Sequence, residues 1–505
     1  MLFSCSVILR VGGYFVSLVL GLGYSLIAAL LAIYGFNILL TTGLYWRKRN
    51  DIIETPALTT IPRVTIQLPI YNELYVVERL IDAAAALDWQ RDCLQIQVLD
   101  DSDDETVDIA QRRIEYWRRR GIDIAQYRRA DRSGFKAGAL AAGLAHATGE
   151  YVAVFDADFV PSPAFLKKTI PHFLAQPNLG MVQTRWGHLN ATYSALTHAE
   201  ALALDGHFVI EQTARSRNGL YFNFNGTAGV WRRTCIEQSG GWQGDTLSED
   251  LDLSYRAQMR GWKFIFLPDV VSPAELPPQI HAYKRQQFRW AKGSTQVLLK
   301  LGKRVLTAPN SSPFKRLEGL LHLSGYLMNP LMVLALIVLV PLMALDTRTP
   351  DLMFYFSFAM LGPVIMYALS QRAIYPADWR SRFRYFAVLL LLGTGIAVNN
   401  SIAVIEAFRR RGNTFRRTPK FHVESENDAW SAKRYTLPLG WEVIGEWFLS
   451  AYALVGVIIA WHNHLYWTLP YLILYAASFA FIGGLSLWHT RPARTIADFK
   501  LQIAD

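Results

Sequence analysis

The stretch YVAVFDAD at residues 151–158 decides the fold class of this chain. Its first five residues are apolar and mostly β-branched or aromatic, which predicts a buried strand. The strand ends in two carboxylates, Asp156 and Asp158, two residues apart. Hard oxygen donors at this spacing can share a divalent cation, either Mg²⁺ or Mn²⁺. The alternative is a plain acidic loop, because many loops match a pattern this short.

The sequence around this strand alternates between strand-like and helix-like runs. Further strand-like runs lie at 64–70, 94–99 and 180–183, and helix-like runs lie at 75–87, 106–119 and 136–146. Alternation of this kind predicts a Rossmann-like α/β domain with a mostly parallel sheet, whose ligands bind at the carboxyl ends of the strands. We assign this globular domain to residues 51–316.

Apolar sequence flanks the globular domain on both sides. Of the 505 residues, 51% are hydrophobic and 18% are charged, whereas soluble proteins carry about 25% charged residues. The run at 14–46 is long enough for one membrane span, and Arg47, Lys48 and Arg49 after it mark a cytoplasmic side. We therefore expect a transmembrane helix in 1–50, a cytoplasmic catalytic domain, and a transmembrane region in 317–505. In a bacterial cell the membrane would be the plasma membrane.

The C-terminal region contains four candidate spans and one apolar segment that should not cross. The candidate spans are 317–344, 353–369, 447–461 and 466–487. The segment 385–408 lies between two basic clusters, and both clusters should be cytoplasmic, so it cannot make a full crossing. It also carries Asn399, Asn400 and Glu406, which a lipid-facing position resists. We predict an interfacial or re-entrant helix there.

The placement of charged residues argues against two other classes of protein, nucleic-acid-binding proteins and coupled transporters. The chain has 51 Lys+Arg and 41 Asp+Glu, a net charge of +10. These basic residues cluster beside apolar segments, which fits a positive cytoplasmic side and not a nucleic-acid-binding face. A coupled transporter usually carries paired charges within its spans, and the candidate spans show none.

Two further acidic motifs follow predicted strands or begin helices. Asp100 and Asp101 follow the run at 94–99, where they could face the ligand crevice or serve as a solvated turn and helix cap. Ser248, Glu249 and Asp250 could supply the base that takes a proton from an attacking hydroxyl. The alternative for this second motif is a helix N-terminus, where acidic residues favour the helix dipole.

The stretch QQFRW at residues 286–290 lies just before the first C-terminal span. Arg289 can pair with a diphosphate, and Trp290 offers a flat face for a sugar ring. The alternative is anchoring at the membrane surface, where Trp and Arg are common.

The order of these four motifs, DD, DxD, (S/T)ED and QxxRW before membrane spans, resembles the processive, inverting glycosyltransferases of family 2. That family includes cellulose synthase, hyaluronan synthase and the plant cellulose-synthase-like mannan synthases. The runs QVLDDS, FDADF, FNGTAGVWR and QQFRW are most similar to the mannan-synthase branch. The resemblance implies a GT-A-type fold for the catalytic domain.

The resemblance also implies a role for each motif. Donor-binding residues would be Tyr71, Glu73, Asp100, Asp101, Lys136, Asp156 and Arg289. Acceptor-binding residues would be Asn225, Gly226, Thr227, Glu249 and Trp290. Asp250 would be the general base, and Asp156 and Asp158 would hold the metal ion.

A segment at 409–425 resembles the F-x-V-T-x-K gating loop of cellulose synthase. Phe415, Thr418 and Lys420 match its pattern, whereas Arg417 stands in the place of the valine. The resemblance therefore implies a gating-like loop whose contacts differ from those of cellulose synthase.

Two functions follow from the resemblance. The first is elongation of a β-linked polysaccharide, a mannan, glucomannan or glucan, from a nucleotide sugar and its passage across the bilayer. GDP-mannose is the favoured donor and UDP-glucose is the other candidate. The second is transfer of a single sugar to a lipid, as in ceramide glucosyltransferase, and product length distinguishes the two.

Overall fold

The central sheet is built from residues 64 to 274. The structure is a computed structural model that describes residues 2–345, 358–410, 412, 417–425, 428–431 and 433–490, with side chains from residue 15 onward. Within these ranges the strands are β1 (Val64–Ile70), β2 (Leu94–Asp100), β3 (Asp123–Arg128), β4 (Tyr151–Val154), β5 (Leu179–His188), β6 (Gly229–Arg232) and β7 (Lys263–Ala274). They form one seven-stranded sheet in the order β3-β2-β1-β4-β6-β5-β7.

The sheet is mostly parallel, which confirms the predicted α/β class. Strand β1 pairs in parallel with β2 and β4, and β7 pairs in parallel with β5. Strand β6 runs antiparallel to both of its neighbours, β4 and β5. The four predicted strands all form, whereas β3, β6 and β7 were not predicted from the sequence.

Polar side chains inside the sheet are paired across neighbouring strands. Strand β1 is buried along almost its whole length. Its Thr65 hydroxyl donates to Gln95 Oε1 at 2.8 Å, and Gln67 Nε2 donates to Gln97 Oε1 at 3.0 Å. Because buried polar groups must be hydrogen-bonded to be tolerated, these pairs help fix the register of β1 against β2.

Ten α-helices lie between residues 2 and 306, several of them pack on the sheet, and the three predicted ones all form. In chain order they are α1 (Leu2–Lys48), α2 (Val77–Ala85), α3 (Thr106–Arg118), α4 (Phe135–Ala145), α5 (Phe165–Ala175), α6 (Ala195–Asp205), α7 (Thr213–Arg217), α8 (Arg233–Gln238), α9 (Glu249–Met259) and α10 (Ile280–Leu306). A turn of π-helix, Gly206–Gln212, joins α6 to α7.

A second group of helices follows α10 and is strongly apolar. These helices are α11 (Pro313–Ser324), α12 (Met328–Ala344), α13 (Leu361–Ile374), α14 (Trp379–Phe383), α15 (Phe386–Gly395), α16 (Ala397–Phe408), α17 (Glu442–His462) and α18 (Leu469–Trp488). In the described part of the chain, five segments are long and apolar enough to cross a membrane: Phe15–Lys48, Pro313–Ala344, Trp379–Phe408, Glu442–His462 and Tyr466–Trp488. Of the span expected at 353–369, residues 353–357 lie outside the described ranges.

The segment expected along the membrane surface differs from the other apolar helices. Its apolar stretch is 67% buried inside the protein, whereas that of Phe15–Lys48 is 11% buried. It breaks at Ile396 into α15, which packs on α6 and α18, and α16, which packs on α10 and α12. It therefore contacts helices of the globular domain directly. By length and composition it could cross a membrane, so its interfacial position stays a prediction.

Candidate active site

The carboxyl ends of β1, β2 and β4 lie side by side and open into one cleft. The cleft has about 1260 Å³ of empty volume, part of it continuous with solvent. Fourteen of the predicted site residues line it: Tyr71, Glu73, Asp101, Lys136, Asp156, Asp158, Asn225, Gly226, Glu249, Asp250, Arg289, Trp290, Thr418 and Lys420. The four motifs, which are spread over about 190 residues of sequence, thus meet at one place.

Two of the predicted residues that the structure describes, Asp100 and Thr227, are not part of the cleft wall. Asp100 is buried, and its carboxylate accepts hydrogen bonds from Ser102 N at 2.8 Å and Gln126 Nε2 at 2.7 Å. Thr227 is also buried, and its Oγ1 accepts a hydrogen bond from the backbone N of Asp156 at 2.8 Å. Both residues hold the strand ends in place. Phe415 lies outside the described residues.

Three of the predicted donor-binding residues, Tyr71, Glu73 and Asp101, line the cleft. The Arg132 guanidinium lies over the Tyr71 ring, 3.2 Å from its centroid. Asp101 accepts two hydrogen bonds from Arg129, at 3.0 and 2.5 Å. Neither arginine was predicted as a site residue, although both stand just before the predicted donor-binding residue Lys136 in the sequence.

Each aspartate of the DxD motif holds a lysine ammonium. Lys136 Nζ lies 2.5 Å from Asp156 Oδ1, and Lys420 Nζ lies 2.5 Å from Asp158 Oδ2. Both carboxylates therefore already stabilise cationic charge. Among the described residues no group of three or more His, Cys, Asp or Glu could hold a metal ion. A pair of carboxylates is nevertheless the donor set that Mg²⁺ or Mn²⁺ uses when substrate phosphates complete its coordination.

Lys136 links the DxD motif to the loop that carries Asn225 and Gly226. Its ammonium also donates to the carbonyl oxygen of Gly226 at 2.9 Å and lies 3.9 Å from Glu249 Oε1. Burial lowers the pKa of Lys136, but the charges of Asp156 and Glu249 outweigh this and raise the pKa above its ordinary value. The lysine is therefore a fixed positive charge in the cleft.

Asp250 stands in the first turn of α9 and faces the cleft. Its Oδ1 accepts a hydrogen bond from Leu251 N at 2.8 Å. Burial, and then the charge of Glu249, raise the pKa of Asp250 to about 7, against the opposing effects of Lys136 and Arg289. A carboxylate with a pKa near neutrality is suited to accept and release a proton at ordinary pH.

Gly226 lets its own loop pass close to Asp250. Its φ is +82°, and a Cβ atom at this position would lie 2.9 Å from Asp250 Oδ2 and 3.4 Å from Lys136 Nζ. Any larger residue would combine backbone strain with a contact on the carboxylate.

Helix α10 carries Arg289 and Trp290 and is held at both ends of this motif. Lys284 Nζ lies 2.6 Å from Glu446 Oε1 of α17, and Lys292 Nζ lies 3.0 Å from Glu406 Oε2 of α16. Both lysines are buried. The two ion pairs tie the motif between them to the apolar helices.

The described part of the gating-like segment contributes Arg417, Thr418 and Lys420 to the cleft wall. Arg417 donates two hydrogen bonds to Glu73, at 3.0 and 3.1 Å, and its guanidinium lies 4.4 Å from the centroid of the Tyr435 ring. The backbone N–H groups of Phe421 and His422 donate to Glu275 at 2.8 and 2.9 Å. The substitution of arginine for valine therefore creates a new ion pair with a predicted donor-binding residue. Glu275, which lies directly after β7, was missed by the sequence analysis.

The mixed sheet with acidic residues at its strand ends has the GT-A glycosyltransferase fold. Residues 62–293 match the family model described as "Glycosyltransferase like family 2". This domain of the chain therefore belongs to glycosyltransferase family 2, as its motifs predicted.

Two curated relatives come from plants. The chain is 43% identical over 275 residues to "Probable glucomannan 4-beta-mannosyltransferase 7" of Oryza sativa subsp. japonica. This match covers 54% of this chain and 47% of the relative. It is 39% identical over 275 residues to "Glucomannan 4-beta-mannosyltransferase 7" of Arabidopsis thaliana. This match covers 54% of this chain and 49% of the relative. The chain thus matches about half the length of these relatives, and their names confirm the predicted likeness to the mannan-synthase branch.

A solved structure shares the fold. It is a mannosyltransferase of Pyrobaculum calidifontis in complex with GDP-Man and Mn²⁺, with a TM-score of 0.54 and 22% sequence identity. The match covers 77% of this chain and 100% of that protein. At this identity the likeness establishes the fold.

Proposed function

We propose that this chain is a membrane-bound inverting mannosyltransferase that uses GDP-mannose to lengthen a β-linked polysaccharide. The observation that carries the proposal is the meeting of all four motifs in one cleft, with the Asp250 carboxylate beside Lys136 and the DxD motif. The names of the plant relatives and the GDP-Man in the archaeal structure support mannose as the sugar.

The proposed reaction is a single displacement at the anomeric carbon. Asp250 takes the proton of the acceptor hydroxyl, and the oxygen forms a bond to the anomeric carbon from the face opposite the leaving group. The bond to the diphosphate breaks as the new one forms, so an α-linked donor gives a β-linked product. Lys136 and Arg289 hold the departing diphosphate through its negative charge.

Asp156 and Asp158 would hold the divalent cation. When bound, Mg²⁺ or Mn²⁺ supplies positive charge that stabilises the leaving diphosphate. The Mn²⁺ in the archaeal mannosyltransferase supports this assignment. Lys420 sits on Asp158 in the structure, so the cation and the gating-like segment would compete for that carboxylate.

The acceptor would meet Trp290 and Asn225 on the side of the cleft that faces the apolar helices. We propose that the catalytic domain is cytoplasmic, that the helices anchor it in the bilayer, and that the polysaccharide leaves through them. The apolar segments and the basic residues beside them support this arrangement.

The test is nucleotide release by the full-length protein in detergent with Mg²⁺ or Mn²⁺. The donors to compare are GDP-mannose, UDP-glucose, GDP-glucose and UDP-N-acetylglucosamine, with Asp250→Asn as the inactive control. We expect GDP-mannose to give a long polymer that an endo-β-1,4-mannanase digests. A product of one sugar on a lipid would instead establish the single-transfer alternative, and release from UDP-glucose alone would replace mannose by glucose.

A further inference from the structure

Asn225 lines the cleft next to Gly226, and its amide orientation is fixed by a turn of π-helix below it. Asn225 Oδ1 accepts a hydrogen bond from Gln212 Nε2 at 2.6 Å. Asn225 Nδ2 lies 3.0 Å from His207 Nε2. Both partners belong to Gly206–Gln212, and π-helical turns are often found at functional sites.

The protonation of His207 follows from its other neighbour. Its Nδ1 lies 2.9 Å from Glu211 Oε2. An ionised carboxylate can only accept, so Nδ1 carries a proton. Since Asn225 Oδ1 accepts from Gln212, the Asn225 Nδ2 donor faces His207 Nε2, which is therefore the accepting nitrogen. An Asn225 amide turned the other way would set its oxygen against the ring lone pair.

Glu211 is held in its ionised form by its surroundings. Its Oε1 accepts a hydrogen bond from Arg215 Nε at 3.0 Å, and Arg215 is almost fully buried. Burial raises the pKa of Glu211, but the hydrogen bond from His207 and the charge of Arg215 outweigh burial and hold this pKa well below its usual range. The turn also packs closely against α13. A Cβ atom added at Gly206 would lie only 2.5 Å from Tyr367 Cε1 of that helix.

The backbone of Asn225 is anchored separately, since its N–H donates to Gln183 Oε1 at 2.9 Å. The turn therefore orients the side chain and not the loop. An asparagine amide has two N–H donors and two oxygen lone pairs. With one of each used by His207 and Gln212, one N–H and one lone pair have no partner among the described residues and can serve a ligand in the cleft.

We propose that His207 is a positioning residue of the sugar transfer, which acts through Asn225 to present a paired donor and acceptor to a hydroxyl of the acceptor sugar. Resting on the proposed function, this inference adds a residue that no motif identified. The hydroxyl lies on the side of the cleft where Asp250 takes its proton, because Gly226 places the loop against that carboxylate.

The experiment compares His207→Phe with His207→Gln in the full-length protein. Phenylalanine removes the acceptor for the Asn225 amide, whereas the carboxamide oxygen of glutamine can take the place of Nε2. Two rates are measured. The first is transfer of mannose from GDP-mannose to a manno-oligosaccharide primer, and the second is hydrolysis of GDP-mannose, the transfer of mannose to water, without primer. His462→Phe, at an exposed position in the last turn of α17, is the matched control.

We expect His207→Phe to lower kcat/KM for the primer by about 10- to 100-fold, as misplacement of a reacting group does. Hydrolysis should stay within about 2-fold of the unmodified protein, and His207→Gln should retain most of the transfer. Because the effect passes through Asn225, His207→Phe should add little in an Asn225→Ala background.

Equal loss of transfer and hydrolysis in both His207 variants would overturn the inference, because it would show a general structural role. Full additivity with Asn225→Ala would overturn it as well. If the unmodified protein neither hydrolyses GDP-mannose nor transfers mannose, the proposed function fails and the inference fails with it. If the unmodified protein transfers mannose and His207→Phe has lost transfer but not hydrolysis, the proposed function stands and the result supports the inference.

Discussion

The raised pKa of Asp250 predicts a pH dependence that an ordinary aspartate would not give. Burial and the charge of Glu249 raise this pKa to about 7. If Asp250 is the base, kcat/KM follows its ionised fraction, which is about one-tenth at pH 6 and about nine-tenths at pH 8. We therefore expect kcat/KM to rise about 10-fold between these values. An aspartate of ordinary pKa is ionised throughout this range, and its profile would be flat.

Two charge variants should move this pH dependence in opposite directions. Glu249→Gln removes a negative neighbour that disfavours ionisation of Asp250, so the rise in kcat/KM should move to lower pH. Lys136→Met removes a positive neighbour that favours ionisation, so the rise should move to higher pH. Both variants will also lose activity, but the pH midpoint and not the absolute rate is the measurement.

The assay is the initial rate of nucleotide release at low donor concentration, with metal and ionic strength held constant from about pH 5.5 to 8.5. Under these conditions kcat/KM reports groups of the free enzyme. Asp250→Asn is the control, and its residual rate should not show the rise. A flat profile between pH 6 and 8, or a shift of the two charge variants in the same direction, would refute the reasoning.

Three further changes test single contacts. Gly226→Ala should lower kcat at least about 10-fold without unfolding the protein, because the added methyl group meets the base carboxylate; circular dichroism checks the fold. Lys420→Met should lower the half-activating Mn²⁺ concentration by about 10-fold, equivalent to about 1.4 kcal/mol, because it removes a competing cation from Asp158; an unchanged Mn²⁺ titration would contradict this. Lys292→Met should lower the free energy of unfolding by about 1–3 kcal/mol, measured in a thermal or denaturant melt, because it leaves the Glu406 carboxylate without its lysine. Adding Glu406→Gln to the same chain should recover part of this loss.

The sequence was sufficient to predict the parts of the fold that rest on local pattern. Strand β4 follows from a continuous apolar run, and the meeting of the motifs follows from the geometry of parallel strands, whose carboxyl ends share one edge. Strand β6 could not be predicted in this way. It has four residues and runs antiparallel between β4 and β5, so neither its length nor the alternation of strands and helices marks it.

Within the candidate site, the sequence could not tell which of two adjacent carboxylates faces the cleft. Successive side chains of a strand point to opposite sides. Asp100, the last residue of β2, is buried against Gln126, whereas Asp101 lines the cleft. The pair Arg417 and Glu73 is separated by 344 residues. Its formation depends on where the apolar helices return the chain, which no local pattern contains.

Three aspartates of the cleft differ from Asp250 in their contacts, and this difference supports the choice of base. Asp101, Asp156 and Asp158 each lie 2.5 Å from an arginine or lysine nitrogen. A carboxylate paired so closely with a cation is suited to binding positive charge. Asp250 instead receives one backbone hydrogen bond and stands next to the negative charge of Glu249. Proton transfer needs a group that gains from being protonated near the working pH, and a carboxylate pushed towards neutrality meets that need while the paired ones are suited to binding charge.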